Sequence, residues 1–242
     1  MSLNGLDTSG ECGIASTRSK RRDLFELLGI YGLILMVIWT PRPWQAALWA
    51  IAAACTFYIV WLSHEGLRPM GLCTANLTRS LWAVALAVIL AMAAVMLAGR
   101  LHTLHMPTTP YLFFRRYGAY VLWAGVQQLI LQHFFLSRAL RLLPDATSAA
   151  AVSAGLFAIA HLPNPLLTIV TLICGLASCL FFVRYHNLWP LALAHAILGI
   201  SIAITVPGPM HHNMRVGISY LRYVDRSALS QSIHSPKPQR PY

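Results

Sequence analysis

The stretch SLWAVALAVILAMAAVMLA, at residues 80–98, decides the fold class, because it is apolar almost throughout and does not alternate. A helix of about 20 apolar residues is long enough to cross the hydrocarbon layer of a bilayer, which is about 30 Å thick. The strands of an outer-membrane barrel would instead alternate polar and apolar residues over about ten positions. The stretch therefore predicts a transmembrane α-helix.

Similar apolar runs recur from Leu24 almost to Pro207, separated by short breaks that contain proline, glycine or charge. Of the 242 residues, 57% are hydrophobic and 10% are charged, whereas a soluble domain has about 25% charged residues. The predicted helices are 24–40, 44–62, 80–98, 118–136, 146–162, 165–183 and 188–205. The sequence thus predicts an all-α, polytopic transmembrane helical bundle of about seven helices, or eight if one crossing is miscounted.

The chain divides into three predicted parts. Residues 1–23 form a polar, basic amino terminus without the apolar core of a cleavable signal, so the first apolar run is interpreted as a retained signal anchor. Residues 24–205 form the transmembrane bundle. Residues 206–242 form a polar, basic tail rich in Pro, Ser and His, with no sustained period, and its end is expected to be disordered.

The formal net charge of +11 is interpreted as a membrane signature, because the basic residues flank the apolar runs instead of forming a polar domain. With seven crossings, nine basic residues lie on the same side of the membrane as the amino terminus: Arg18, Lys20, Arg21, Arg22, Arg68, Arg79, Arg138, Arg141 and Arg184. Four lie on the opposite side: Arg42, Arg100, Arg115 and Arg116. We therefore expect a multi-pass protein with a cytoplasmic amino terminus, in an arrangement that suits a bacterial cytoplasmic membrane. Its partner is the lipid bilayer, and no nucleic acid is expected. Seven crossings place the basic tail outside, against the same rule.

Three glutamines interrupt the fourth predicted helix, in VLWAGVQQLILQ at residues 121–132. Gln128 and Gln132 share one helix face, and Gln127 lies beside them. Polar groups inside hydrocarbon need partners, so they mark candidate functional positions. Interhelical hydrogen bonding is the structural alternative for these amides.

Two histidines lie in the apolar runs that follow. FAIAHLPNP places Phe157 and His161 one turn apart, with Asn164 in the break that ends the helix. LWPLALAHAILGI places His195 among alanines and leucines. Each histidine is either a buried packing residue or a functional group. The five cysteines form no CxxC pair, and no disulfide or metal role is assigned to them.

In order and spacing, these segments resemble the CAAX-protease and bacteriocin-processing family of intramembrane proteases, whose members carry EExxxR, FxxxH and HxxxN motifs. The resemblance covers about residues 121–202. The matching segments are Gln127 to Gln132, Phe157 to His161 and His195 to Gly199. Glutamines stand in place of both glutamates and the arginine, and Gly199 stands in place of the asparagine.

The resemblance implies an endopeptidase whose glutamate activates water while its histidines position that water or stabilise the oxyanion. An amide does not take up that proton under ordinary conditions, so the base is predicted to be His161 or His195. Gln128 is predicted to orient water or donate to an oxyanion, with Gln127 and Gln132 beside it. Phe157, Gly199 and Asn164 are predicted to form the substrate cavity.

Three functions remain open at this point. The first is cleavage of a peptide bond in a membrane-associated peptide or lipidated protein. The second, which the missing glutamates favour, is noncatalytic binding of such a partner. The third is haem binding between His161 and His195. No cofactor is predicted, and a zinc site would need a third ligand, for which the sequence offers no clear candidate. Only a fold that brings Glu65 or Asp145 inward would restore a carboxylate.

Overall fold

The computed structural model describes residues 20–62, 70–72, 74 and 76–234, without side-chain detail at 56, 57, 59–62 and 226–234. These residues form helices and connecting turns, and no strand occurs among them. The helices are α1 (Lys20–Trp39), α2 (Trp44–Leu62), α3 (Leu77–Ser80), α4 (Trp82–Arg100), α5 (Pro110–Leu129), α6 (Ser137–Leu142), α7 (Ala146–Ile159), α8 (Pro165–Tyr185), α9 (Trp189–Thr205), α10 (Gly208–His211) and α11 (Gly217–His234). A π-helical segment, Ile130–Leu136, joins α5 to α6 without a break, and a 3-10 turn, His212–Met214, follows α10.

The all-α class is confirmed, and each predicted span overlaps a helix. By length and apolarity, two described stretches are able to cross a membrane, namely Leu77–Arg100 and Pro165–Tyr185. Three further apolar helices are shorter. On α4, Ile89, Met92 and Met96 are each more than half exposed, which is the arrangement expected of a surface that faces lipid. The number of crossings stays a prediction.

Side chains at the helix starts explain several of the boundaries. Thr109 accepts a hydrogen bond from the backbone of Leu112 at 3.3 Å and is followed by Pro110. Asp145 accepts one from the backbone of Ser148 at 2.8 Å. Such caps satisfy the otherwise unpaired N–H groups of a first turn. The continuous helical segment from α5 to α6 therefore begins at Pro110, eight residues before the predicted helix, and ends at Leu142, beyond the predicted end.

The helices run back and forth between two ends of the bundle. At the first end, Arg141 of α6 makes two 2.8 Å contacts with Asp23 of α1. At the second end, Thr103 donates to the carbonyl of Thr205 at 3.1 Å, and Gly217 lies against Ile38. The start of α1 and the start of α11 therefore lie at opposite ends.

The tail, residues 206–242, contains helices in its described part. It contains α10 and α11, which the absence of a clear period did not indicate. Gly217 makes the junction possible, because its φ is 55° and a Cβ there would overlap Ile38. The predicted disorder concerns the last residues, 235–242, which lie outside the described part, as do Cys12, His64, Glu65 and Cys73.

Candidate active site

A cavity of about 1640 Å³ lies between α8 and α9. These consecutive helices separate because α8 packs on α7, whereas α9 packs on α4 and α5. Most of the wall is apolar, and α1 and α2 contribute to it. The side chains of Gln127, Gln128, His161 and His195 line the same cavity. Three separate segments of the sequence therefore meet at one place.

Gln128 holds His195 from one side. Its Nε2 lies 3.0 Å from Nδ1 of His195. Gln132, one helical turn later, donates from its own Nε2 to Oε1 of Gln128 at 3.0 Å. The Gln128 oxygen is therefore the acceptor from Gln132, and its amide nitrogen faces the imidazole. In this orientation Nδ1 of His195 accepts, so the proton of the neutral ring lies on Nε2.

Gln132 lies behind the cavity and not in its wall. Its side chain is fully buried, and Nε2 also donates to Oγ of Ser178 at 3.0 Å. Its Oε1 is buried without a hydrogen-bond partner among the described residues. Gln132 belongs to the π-helical segment, a form of helix that often occurs at functional sites. It therefore acts on the cavity through Gln128.

His161 lies in the turn that follows α7 and is held by the last turn of that helix. Its Nδ1 lies 2.7 Å from the carbonyl oxygen of Phe157. A carbonyl oxygen only accepts, so Nδ1 carries the proton and Nε2 of the neutral ring keeps a lone pair. The Phe157 ring packs edge-on against both imidazoles, with centroids 4.8 Å from His161 and 6.1 Å from His195.

The other predicted residues have different positions. Gln127 is half-buried in the cavity wall, and Gly199 also lines it. Asn164 is fully buried and is not a cavity residue. It accepts from the backbone of Leu167 at 3.2 Å, and its Nδ2 donates to the carbonyls of His211 at 2.9 Å and Arg215 at 3.1 Å. Asn164 therefore caps α8 and fastens the segment that follows α9, which explains its place in the turn.

No carboxylate lines the cavity in the part of the chain that the structure describes. Asp145 caps α7, where a hydrogen bond from the backbone of Ser148 lowers the pKa of its carboxyl. Asp23 and Glu26 pair with Arg141 and Arg138 at the first end of the bundle. Glu65 lies outside the described residues. Among the described residues no group of three His, Cys, Asp or Glu side chains is arranged to hold a metal ion.

Sequence reasoning missed two side chains near the site, Ser178 and Tyr120. Tyr120 lines the cavity with its ring centroid 6.4 Å from that of His195. It precedes Gln127 by two helical turns, a spacing that places both on one face of α5. That signal was present in the sequence, whereas the partnership of Ser178 with Gln132 joins distant segments and was not.

Fold and site together define an all-α membrane protein with a histidine- and glutamine-lined cavity between its helices. Residues 109–200 of this chain match the model of the Rce1-like family, described as type II CAAX prenyl endopeptidase Rce1-like. The predicted resemblance to CAAX-type intramembrane proteases is thus confirmed over this segment. Neither the curated proteins nor the solved structures contain a significant match to the chain.

Proposed function

We propose that the chain is an intramembrane endopeptidase that hydrolyses a peptide bond in a membrane-associated peptide or lipidated protein. His161 acts as the general base, and His195 donates a hydrogen bond to the oxyanion. Gln128 fixes the tautomer of His195, and Gln132 fixes the orientation of Gln128. Gln127 and Phe157 form part of the wall against which the substrate lies.

The observation that carries this proposal is that hydrogen bonds hold the two histidines in opposite tautomers. The Phe157 carbonyl takes the proton of His161 at Nδ1, which leaves Nε2 as a proton acceptor. The Gln128 amide donates to Nδ1 of His195, which leaves Nε2–H as a donor. One acceptor and one donor in the same cavity are the two groups that hydrolysis of an amide requires.

The reaction follows from these two atoms. A water gives a proton to Nε2 of His161 while its oxygen attacks the carbonyl carbon of the peptide. The carbonyl oxygen becomes negatively charged and accepts a hydrogen bond from Nε2–H of His195. When the C–N bond breaks, the proton on His161 passes to the leaving nitrogen, and a carboxylic acid and an amine are released.

We propose that this reaction needs no resident metal or haem. In the tautomer that Gln128 imposes, the lone pair of His195 lies at Nδ1 and is engaged by the amide, so of these two histidines only His161 offers a free nitrogen ligand. A catalytic zinc usually has three protein ligands. Dialysis against a chelator is expected to leave the rate of cleavage unchanged, and purified protein is expected to show no Soret band. A loss of activity that added Zn²⁺ restores would contradict this part of the proposal.

The experiment compares peptide termini in host membranes of four strains: a deletion, and complements with the wild type, His161→Ala or His105→Ala. His105 is the matched control, because its side chain is exposed in a loop. Termini that occur with the wild type and His105→Ala, and are absent from the other two strains, support the protease and identify its substrates. Identical termini in all four strains, with equal amounts of protein in the membrane, would overturn it.

A second function remains, which is noncatalytic binding of a membrane peptide or lipidated partner in the same cavity. The absence of a carboxylate from the cavity wall among the described residues favours it. In that case the wild-type protein has no turnover. Photocrosslinking from a probe placed at Gln127 would then capture a partner equally well with and without His161.

We also propose that the amino terminus is cytoplasmic and that the bilayer is a bacterial cytoplasmic membrane. The opposite placement of the starts of α1 and α11 then puts the start of α11 on the outer side. A membrane-impermeant thiol reagent should label a cysteine at position 219 in intact cells but not one at position 20. The reverse pattern would contradict the orientation.

A further inference from the structure

The hydroxyl of Tyr120 lies in a space that only a glycine on the neighbouring helix leaves open. Tyr120 belongs to α5 and Gly199 to α9, one turn after His195. A Cβ at position 199 would overlap the phenol oxygen of Tyr120. Any other residue at 199 would therefore displace the ring, so the glycine and the tyrosine are structurally coupled.

Gly199 lies four residues after His195, where the HxxxN motif has an asparagine. Here the phenol of Tyr120 reaches that space from the other helix and brings a hydroxyl group with it. A polar hydrogen-bond donor is thus present beside His195, although the sequence of α9 supplies none at 199.

No hydrogen bond joins the Tyr120 hydroxyl to another residue that the structure describes, and its oxygen is not one of the buried atoms left without a partner, so it is accessible from the cavity that Tyr120 lines. The cavity wall around it is mostly apolar. A tyrosine has an apolar ring and a hydroxyl that can donate a hydrogen bond. The open side of this hydroxyl is the cavity, so it is available to donate to a molecule that binds there.

We propose that Tyr120 is a catalytic hydrogen-bond donor, which binds the carbonyl oxygen of the scissile peptide together with Nε2–H of His195. The inference rests on the proposed endopeptidase function. Two donors on one oxygen form an oxyanion hole, whose stabilisation increases as negative charge develops in the transition state. Neither donor carries charge, so the site stabilises an anion without a buried cation.

The first test is Tyr120→Phe, which removes the hydroxyl and keeps the ring that packs on Gly199. Purified protein in lipid nanodiscs is incubated with membranes of the deletion strain, and the rate at which new amino termini appear is measured. Loss of one oxyanion donor is expected to reduce this rate by about 10²-fold. Tyr111→Phe, the same change at a 70% exposed position on the same helix, is expected to have no effect.

A second test exchanges the donor between the two helices. Gly199→Asn alone displaces the ring and Tyr120→Ala alone removes the donor, so each should be nearly inactive. In the double variant the ring is gone and the asparagine side chain occupies its space with an amide donor. We expect the double variant to be at least about tenfold faster than either single variant. This factor is the square root of the roughly 10²-fold effect expected for the loss of one donor. A double variant slower than both singles would show that the pair serves packing alone and would overturn the inference.

The outcomes separate the inference from the proposed function. Absence of His161-dependent termini with the wild-type protein overturns the endopeptidase function and, with it, the role of Tyr120. Full His161-dependent activity in Tyr120→Phe overturns the role of Tyr120 alone. Thermal unfolding of each variant in the same nanodiscs excludes misfolding as the cause of a lost rate.

Discussion

Two groups of polar side chains lie inside this apolar bundle, and their construction differs. At the first end, Asp23 and Glu26 of α1 pair with Arg141 and Arg138 at distances of 2.8–3.1 Å, two contacts to each arginine. In this charged network, each of the two carboxylates is paired with an arginine of α6. The network in the cavity consists of glutamines, histidines and a serine, and it leaves Nε2 of both histidines directed to no protein partner among the described residues.

The two networks differ in what their hydrogen bonds and ion pairs do for the protein. A buried charge is tolerated when an opposite charge and hydrogen bonds satisfy it, so the ion pairs join α1 to α6 and offer nothing to a ligand. In the cavity, the Gln128 amide and the Phe157 carbonyl engage Nδ1 of His195 and of His161. Under the proposed function these hydrogen bonds orient the two rings for a substrate, whereas those of the charged network stabilise the fold.

The largest expected effect comes from removing the proposed base. His161→Ala should reduce the rate of peptide-bond cleavage by about 10³-fold, since general base catalysis contributes a factor of about 10²–10⁴. Its unfolding temperature should change little, because the ring makes one hydrogen bond, to the carbonyl of Phe157 four residues earlier. The rate of appearance of new termini and thermal unfolding are measured in parallel. Equal loss of rate in His105→Ala would show that the assay reports general damage.

Next in size is the effect of opening the charged network. Arg141→Ala leaves the fully buried Asp23 without its bidentate partner, and breaking such a pair costs about 3 kcal/mol of folding stability. We expect a lower unfolding temperature but unchanged cleavage per folded molecule. The double variant Asp23→Asn with Arg141→Gln removes both charges and should recover part of the loss. If the single variant unfolds like the wild type, the charged network is not structural.

Asn164 is uncharged, yet its side-chain amide makes hydrogen bonds only within the protein. It therefore tests whether a neutral, fully hydrogen-bonded group also stabilises the fold. Asn164→Ala leaves two backbone carbonyls and one N–H without their partner and should destabilise the chain by about 2 kcal/mol. The carbonyl of Arg215 is one of these groups, so trypsin should cleave after Arg215 faster than in the wild type. Asn164→Ser restores only the cap of α8 and should recover part of the stability but not the resistance to trypsin.

The smallest effect is expected at Gln132, a positioning residue. Gln132→Met keeps the volume but removes the donor that orients Gln128, so the Gln128 amide can rotate and His195 then populates both tautomers. Cleavage should become about tenfold slower, as expected for a partly lost oxyanion donor, with a mixed tautomer signal for His195. Ser178→Ala removes one of the two acceptors of Gln132 and should change the rate less. A large loss of stability in Gln132→Met without a change of tautomer would assign Gln132 to packing.

Much of the fold was predictable from the sequence, because an apolar run of about 20 residues forms few structures other than a transmembrane helix. The boundaries were less accessible. Proline at the start of α5 and the cap at Thr109 extend that helix, and the π-helical segment continues it. The helix α11 has a weak apolar period, so it was read as a tail, and its start depends on a contact between Gly217 and Ile38 that sequence spacing does not reveal.

The candidate site was predicted in its residues but not in its connections. Periodicity places Gln128 and Gln132 on one face, and the two histidines are conspicuous in apolar surroundings. Their tautomers depend on which atom each ring contacts, and those contacts join α5 to α9 or use a backbone carbonyl. Asn164 was assigned to the substrate cavity, although two of its partners, the carbonyls of His211 and Arg215, lie 47 and 51 residues later in the chain.

The central claim is that neutral hydrogen bonds hold His161 and His195 in opposite tautomers, and nitrogen NMR of the protein with ¹⁵N-labelled histidine tests it most directly. The difference spectrum between wild type and His161→Ala gives the signal of His161, and that with His195→Ala gives the signal of His195. We expect a proton on Nδ1 of His161 and on Nε2 of His195. The same tautomer for both rings, or a proton on Nδ1 of His195, would contradict it.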